Sequence, residues 1–501
     1  MKKFFALLLV VLMLVPFVVA CGGGDETTTV APNDNTTTTA PNNDNTTTAP
    51  APTGAWSSKY DVRNTWSGKT LNVATSRWSG SAGAPWGIVE ACVKFGETTD
   101  FGAIIDAAVI ERNELIKEKY GVTLNWIDAT RYGSVADLEA AIVANTVSWD
   151  IFMPRALHDQ ALVASGNLYD LANRDFIDFE NSYYNDLTVN AYTAKGHTFF
   201  VSGDYTTIDK EVASVLWFNK DLLGDKKATD DLYKAVREGK WTWDMLINLA
   251  NGAYSDDGDG VHGDTDTYGL SLTNINNLYY FFGVSTTGVN KSTGEWQITL
   301  DDPKVDDILS AIITAKTANW ARSAWGGSWG SNAGAALQDG RLLFYNEVIQ
   351  HTYVTEVLSS GIVPFPMLTE AQGRYYAPIA AQQTVLVCIP KNTQDRAMSD
   401  YFLDVLGWTG KEYLMEGYME EKALHLESDV EYEMIVNYVF PNIMFDSGAA
   451  LSNWGSLLGG VLTASHNGNV NNFRQAFDAE APKAQATIDS WNLAWGAYTE
   501  A

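Results

Sequence analysis

The sequence predicts an α/β fold, and three observations lead to that prediction. Between residues 70 and 153, short strand-like runs alternate with stretches whose apolar residues recur at helical spacing. The chain beyond residue 55 is long enough for roughly two or three domains of ordinary size. No apolar run after the first twenty residues reaches membrane-spanning length. Such alternation indicates a mostly parallel sheet with helices on its faces and a ligand crevice at the carboxyl ends of the strands.

The elements of the first unit follow from local pattern. Apolar residues recur at strand or helix spacing within each element, and Gly121 and Pro154 stop the first helix and the last strand. The predicted elements are, in chain order, strand 70–75, helix 101–120, strand 122–127, helix 135–145 and strand 149–153. This β-α-β-α-β order is typical of a parallel sheet.

A second α/β unit follows, and the chain then becomes helical. Two strand-like runs at 214–219 and 341–345 are separated by helical stretches near 230–250 and 303–318. Residues 384–389 have the composition of a buried strand. Beyond residue 395 the predicted helices are 398–406, 431–439 and 472–495.

The first twenty residues are typical of an export signal. Lys2 and Lys3 precede an apolar stretch that ends at Ala20 and is too short to span a bilayer comfortably. The end of this stretch, Val18–Cys21, resembles the lipobox of bacterial lipoproteins, which implies cleavage before Cys21 and attachment of lipid to that cysteine. The alternative is an ordinary secretory signal whose cleavage site precedes a cysteine by chance.

Residues 21–55 are predicted to be the lipidated cysteine and a disordered linker, after a signal peptide of residues 1–20. The linker consists almost only of Thr, Asn, Asp, Ala, Pro and Gly, a composition that buries nothing. A coil of this length spans roughly 30 Å, so it would act as a tether between a membrane and the folded part.

Charge and cysteine content exclude several classes of protein. A net charge of −28 repels phosphate backbones, so we expect no nucleic-acid partner. With Cys21 committed to lipid, Cys92 and Cys388 are too few for a zinc cluster or a disulfide scaffold. Buried free thiols are the favoured state of these two residues, and one disulfide between them is the alternative.

Several short motifs occur in a collinear order that resembles a known family. They are Arg112-Asn113, Lys119-Tyr120-Gly121-Val122, Trp149-Asp150-Ile151, Leu168-Tyr169-Asp170-Leu171, Phe218-Asn219-Lys220-Asp221-Leu222, Gly239-Lys240-Trp241-Thr242-Trp243-Asp244 and Tyr268-Gly269-Leu270. Their succession resembles the extracellular solute-binding proteins of family 1, the sugar-binding components of ABC importers. The resemblance extends from residue 66 to the end of the chain.

This resemblance implies a two-lobed, periplasmic-binding-protein-like α/β fold with a helical C-terminal region. The implied parts are 56–203 as the first part of lobe 1, 204–362 as lobe 2, 363–395 as the return to lobe 1, and 396–501 as a helical closing region shared by the lobes. The chain would cross between the lobes near 203–213 and 362–376.

The implied function is that of a surface-anchored, monomeric substrate-binding lipoprotein. It would capture a carbohydrate, an oligosaccharide in particular, between the lobes and deliver it to ABC transporter permease subunits. Its place would be the extracytoplasmic face of the cell membrane, held there by the lipid anchor.

Candidate ligand-binding residues follow from what a sugar presents. Sugars have apolar C–H faces and a rim of hydroxyls, so a sugar cleft combines flat aromatic rings with polar side chains. The candidates, which lie in loops or after predicted strands, are Trp78, Arg155, Asp204, Tyr279, Tyr280, Trp325, Trp329, Glu347, Gln382 and Trp454. For each aromatic residue the alternative is core packing, for the charged residues a solvated loop, and for Gln382 a backbone cap.

The segment 255–266 resembles a calcium-binding loop of the EF-hand type. Alternate oxygens would surround the ion, and Gly260 would make the turn. The candidate metal ligands are Asp257, Asp259, Val261, Asp264 and Asp266. Ser255 replaces the usual first Asp and Asp266 the usual last Glu, so calcium would be a weakly held structural cofactor. The alternative is a solvated acidic turn.

The sequence supports an enzymatic function less than a binding function, and we expect no enzyme activity. Residues 326–330 fit the pattern G-x-S-x-G of a nucleophile elbow, but the residues before them have a helical pattern rather than a strand pattern. The sequence has no P-loop and no H-E-x-x-H motif. Two alternatives stay open: a cell-surface glycoside hydrolase or esterase, and the same fold binding a peptide or another polar solute.

Overall fold

The computed structural model of the chain describes residues 65–75, 103–129, 135–144, 149–272, 277–322, 331–349, 359–379, 381, 384–452, 457–464 and 470–499. All of these residues belong to one compact unit, Val62–Ala501. The predicted signal peptide, Cys21 and the linker therefore lie outside the described residues.

The described strands are β1 (Thr70–Thr75), β2 (Thr123–Asp128), β3 (Ile151–Met153), β4 (Thr193–Ala194), β5 (His197–Thr198), β6 (Ser214–Asn219), β7 (Tyr268–Leu272), β8 (Thr287–Val289), β9 (Trp296–Ile298), β10 (Leu342–Val348), β11 (Ser360–Val363), β12 (Ala377–Pro378) and β13 (Ile443–Met444). They form a three-stranded sheet in the order β2-β1-β3, a four-stranded sheet in the order β11-β6-β10-β7, and three two-stranded pairs. We call the part built on the first sheet lobe 1 and the part built on the second sheet lobe 2.

The described helices are α1 (Ala103–Tyr120), α2 (Val135–Ala144), α3 (Asp159–Ala164), α4 (Asp186–Ala191), α5 (Ile208–Glu211), α6 (Lys220–Leu223), α7 (Lys226–Arg237), α8 (Trp243–Ala253), α9 (Asn277–Phe281), α10 (Lys304–Thr317), α11 (Ser331–Gln338), α12 (Arg396–Thr409), α13 (Met415–Ala423), α14 (Asp429–Met434), α15 (Ala449–Ser452), α16 (Leu457–Ala464) and α17 (Val470–Gly496). Short π-helical turns continue α12 at Gly410–Leu414 and α14 at Ile435–Val439.

The sheet of lobe 1 is parallel, as the alternation of strands and helices predicts. β1 pairs with β2 from Thr70 to Thr75 and with β3 from Val73 onward. Helix α1 ends where Gly121 adopts a left-handed φ of 65° and donates its N–H to the Lys117 carbonyl. The segment predicted as strand 384–389 is buried and pairs with Phe152 on one side and with Val201 on the other. Within it, Cys388 is a free, buried thiol.

The sheet of lobe 2 is mixed rather than mostly parallel. β6 runs antiparallel to both β10 and β11, and only the β10–β7 pair is parallel. All six residues of β6 are buried, which explains why its four central residues, 215–218, are all apolar and do not alternate with polar ones. Trp241 is buried beneath this sheet and donates its indole N–H to the Pro364 carbonyl.

Three described segments carry the chain between the two sheets. Residues 202–213 lead from Val201, which pairs with Val387, to β6, and residues 364–379 lead from β11 back toward the strand beside β3. The third segment, 424–428, is not among the predicted crossings. It connects α13, which packs on α1, with α14, which packs on β11. The β12–β13 pair lies between α4 of lobe 1 and β6 of lobe 2.

The C-terminal helices contact both lobes. An aromatic group of Trp66, Tyr120, Tyr401 and Phe402 packs α12 against lobe 1. On lobe 2, the buried Glu431 of α14 accepts hydrogen bonds from Lys220 and from the Tyr233 hydroxyl. None of the described helices is both long enough and apolar enough to cross a membrane.

Gly410 gives a test of the close packing between α12 and the first crossing segment. A Cβ at this position would lie 1.8 Å from the Asp204 carbonyl oxygen. We expect Gly410→Ala to lower the free energy of unfolding by about 2 kcal/mol or more, because backbone has to move. Gly460→Ala in α16, where a Cβ meets no heavy atom within 4 Å, is the control and should stabilise by about 1 kcal/mol. Equal urea midpoints for both variants would contradict this packing.

Candidate functional site

Polar groups follow strand β3 at the carboxyl edge of the lobe 1 sheet. Arg155 is buried, and its backbone pairs with Val385. A short 3-10 turn, Ala156–His158, then leads into α3, whose first residue is Asp159. Helix α15 of the C-terminal region lies against this turn. The carboxyl edge of lobe 1 therefore meets the C-terminal region at the turn Ala156–His158 and at α3.

Asp159 is completely buried and holds its proton more tightly than an ordinary carboxyl group. The Tyr192 hydroxyl donates a hydrogen bond of 2.6 Å to Oδ2, and the Gln160 N–H donates to Oδ1. Burial raises the pKa of Asp159 to about 7, and the nearby Asp446 charge adds to the rise, although both hydrogen bonds act in the opposite direction. Asp159 is thus a carboxyl group that changes charge near neutral pH.

Asp446 brings groups of lobe 2 to the same region. The Tyr280 hydroxyl donates to Oδ2 at 3.0 Å, the Thr286 hydroxyl donates to both oxygens, and the Thr286 and Gly448 N–H groups donate to Oδ1. Neither Asp446 nor Asp159 is among the residues that the sequence predicts to bind a ligand. One signal was present for Asp446: an apolar run from Ile443 to Phe445 ends in an Asp-Ser-Gly turn.

The two adjacent tyrosine candidates occupy different environments. Tyr279 is fully buried, and its ring stacks on Phe473 with centroids 6.1 Å apart. Tyr280 is half-buried and bonded to Asp446, beyond the carboxyl end of β7 at Leu272. Of the pair, Tyr279 is a core residue, which was the alternative for it, and Tyr280 keeps part of its surface exposed.

Asp204 belongs to a buried ion cluster in the first crossing segment. The Lys210 ammonium lies 3.1 Å from an Asp204 oxygen and 3.0 Å from an Asp209 oxygen, and it also donates to the Gly203 carbonyl. Burial raises the pKa of Asp209 to about 6, partly offset by Lys210. Asp204 is thus an ion-pair partner of Lys210 rather than the solvated loop charge considered as its alternative.

Glu347 lies near the carboxyl end of β10, at the carboxyl edge of the lobe 2 sheet. The Tyr345 hydroxyl donates to Oε2 at 2.9 Å, and the Val348 N–H donates to Oε1. Glu347 is half-buried. The remaining ligand-binding candidates lie outside the described residues: Trp78, Trp325, Trp329, Gln382 and Trp454.

The acidic loop lies at the opposite end of lobe 2, at the start of β7. Ser255 and Thr267 pair through two backbone hydrogen bonds and close the loop. Carboxylate oxygens of Asp256, Asp257 and Asp259 lie within 4.8 Å of one another, and all three side chains are exposed. Asp256 was not among the predicted ligands, whereas Asp257 and Asp259 were.

The other predicted metal ligands have different partners. The Arg322 guanidinium donates to Asp264. Asp266 is buried and accepts the N–H groups of Asp257 and Gly263, and the hydrogen bond from Asp257 holds its pKa below the usual value. The exposed Val261 donates its N–H to an Asp259 oxygen at 2.7 Å.

Asp159 makes stability depend on pH in a defined direction. The folded chain holds this proton up to about pH 7, whereas an unfolded Asp releases it near 3.8, so stability falls as pH rises through that window. Asp159→Asn never ionises and should lose less stability between pH 4.5 and 7.5, by an amount on the order of a few kcal/mol. Urea unfolding measures this, with the exposed Asp230→Asn as control. Parallel pH profiles for wild type and Asp159→Asn would contradict it.

Comparisons with known proteins identify the fold. No family model matches the sequence, and no curated protein matches it. Solved structures do match over most of the chain. A cyclo/maltodextrin-binding protein in complex with maltotetraose is 12% identical with a TM-score of 0.52, and the alignment covers 86% of this chain and 98% of that one.

Two further structures give the same result. UspC of M. tuberculosis is 10% identical with a TM-score of 0.53, and 83% of this chain and 100% of that chain are covered. The cyclic α-maltosyl-1,6-maltose binding protein from Arthrobacter globiformis is 15% identical with a TM-score of 0.50, and the coverage is 85% and 98%. The chain has the two-lobed, periplasmic-binding-protein-like α/β fold of solute-binding proteins, with C-terminal helices, as its motifs indicate.

Proposed function

We propose that this chain is the substrate-binding lipoprotein of an ABC importer, and that it captures an oligosaccharide between its lobes and delivers it to a permease. The observation that carries the proposal is the shared fold over more than four-fifths of the chain with proteins that bind malto-oligosaccharides. The collinear family motifs noted in the sequence point to the same class.

The polar groups at the meeting of the lobes are suited to hydroxyl-rich ligands. Tyr280 is half-buried and held by Asp446, and an aromatic ring fixed in this way offers a flat face to a sugar. Glu347 and Arg155 supply a carboxylate and a guanidinium at the carboxyl edges of the two sheets. The aromatic candidates Trp325 and Trp329 would add stacking surface.

Membrane attachment is the second part of the proposal. The lipobox-like end of the signal would expose Cys21 for lipidation, and the linker of residues 22–55 would separate the folded unit from the membrane. The folded unit would then stand on the extracytoplasmic face, where it meets its ligand before the permease does.

Sugar binding is tested by calorimetry with linear and cyclic malto-oligosaccharides, other glycans and peptide controls. We expect binding to one glycan class, because closure of two lobes buries a ligand that contacts both. Trp325→Ala or Trp329→Ala should weaken binding by about 1 to 3 kcal/mol if the rings stack on sugar. Tyr432→Ala removes an exposed aromatic ring on α14 and serves as the control with unchanged affinity.

The same samples separate the alternatives. Release of reducing ends from any glycan by wild-type protein, at a rate proportional to protein concentration, would establish the hydrolase alternative in place of capture. Heat of binding with peptides and none with glycans would instead establish a binding protein for a peptide or another polar solute.

We also propose calcium as a structural cofactor of the acidic loop, with ligands among Asp256, Asp257 and Asp259. Calcium added to chelator-treated protein should then raise the melting temperature, because the ion binds only the folded loop. Asp257→Asn combined with Asp259→Asn should abolish the rise, whereas Asp231→Asn on α7 should leave it intact. An identical rise in melting temperature in both variants would mean that calcium binds elsewhere. No rise in the wild-type protein would mean that the loop has no structural calcium.

A further inference from the structure

Helix α17 extends across both lobes. Its 27 residues, Val470–Gly496, make a rod about 40 Å long. It packs on α10 and α16 near its start and on α3 and β9 near its end. A single helix therefore connects parts of the molecule that lobe closure would move relative to each other.

The first half of α17 is anchored to lobe 2. Phe473 is fully buried and stacks on Tyr279 of α9 with an angle of 20° between the rings. The neighbouring Arg474 forms an ion pair of 2.6 Å with Asp306 of α10. Both contacts lie within the first two turns of the helix.

The second half of α17 is anchored to lobe 1. Trp495 is fully buried, and its indole N–H donates to the Gln160 side chain of α3 at 2.9 Å. Its ring also lies edge-on to Phe199, with centroids 4.8 Å apart. Just beyond the helix, the Tyr498 hydroxyl accepts the Asp170 N–H.

A hairpin from lobe 2 accompanies this second half. The Asn492 side chain bonds both the N–H and the carbonyl of Trp296 in β9, at 2.8 and 3.0 Å. At the tip of the β8–β9 hairpin, the Gly294 carbonyl accepts the Lys195 N–H of lobe 1, and Glu295 pairs with the Lys195 ammonium. The hairpin, which the chain forms between α9 and α10 of lobe 2, is thus fastened to lobe 1 at its tip and to α17 at β9.

Pro482 lies between the two anchored halves. It is exposed, and it cannot donate the hydrogen bond that the Asp478 carbonyl would otherwise accept in a regular helix. Proline is a common cause of bending in long helices. The two-stranded stem of the β8–β9 hairpin can twist when the lobes rotate. A continuous helix that is held at both ends resists this rotation unless its hydrogen bonding is interrupted.

We propose that α17 is a jointed brace, in which Pro482 is the joint that lets the two anchored halves turn when the lobes move. The inference rests on the proposed function only in supposing that the lobes move to admit a ligand. Without the joint, the helix would hold the lobes at one angle.

The test compares wild type, Pro482→Ala and Thr487→Ala by residue-resolved hydrogen exchange on the full-length chain. Pro482→Ala restores the missing donor and removes no packing, because the side chain is exposed. Thr487→Ala is the control, because it also raises helix propensity but lies five positions after Pro482 and leaves the proline in place. We expect Pro482→Ala alone to slow exchange in residues 479–486 by about tenfold or more.

The amide of Lys195 reports the contact between lobe 1 and the hairpin that α17 holds, since it donates to the Gly294 carbonyl. We expect its exchange to slow about threefold or more in Pro482→Ala and to stay at the wild-type rate in Thr487→Ala. Slower exchange confined to residues 479–486, or equal effects of the two variants, would overturn the proposal. Titration with maltotetraose is a separate readout: failure of wild type to bind it would weaken the proposed function and leave the exchange result intact.

Discussion

The fold depends on a buried charge at the first crossing between the lobes. Lys210 is buried where the chain leaves lobe 1, and the carboxylates of Asp204 and Asp209 and the Gly203 carbonyl compensate its charge. Loss of Lys210 would leave the two carboxylates without this counter-charge, and removal of one side of a buried ion pair costs about 3 to 5 kcal/mol. Glu211, one residue after Lys210, pairs with Lys422 and ties the same segment to α13. The crossing is therefore a fixed point rather than a loose linker.

A fixed crossing places the polar groups of the two lobes in a defined relation. Asp159 follows β3 of lobe 1, and Asp446 holds Tyr280 and Thr286 of lobe 2. The two carboxyl groups are close enough for the charge of one to raise the pKa of the other. When Asp159 is neutral, it adds no charge repulsion toward Asp446.

The sequence predicted the elements whose pattern is local. Strands 70–75 and 214–219 have the predicted bounds, and the helix predicted at 472–495 is α17. It missed what depends on distant partners: the hydrogen bond between Thr286 and Asp446 joins positions 160 residues apart, and no periodicity encodes it. Tyr279 was predicted to bind ligand for the same reason: its burial depends on a distant partner, since Phe473 of α17 stacks on its ring.

Rigidity at the crossing and at both ends of α17 restricts how the lobes can move. A ligand shifts the balance between two lobe arrangements only by its difference in affinity for them. The free energy needed to strain contacts during the motion reduces the effect of that difference. A continuous helix anchored by Phe473 and Trp495 would require the most. A proline between the anchors lowers this resistance without loosening either lobe, so that ligand contacts rather than helix bending determine the arrangement.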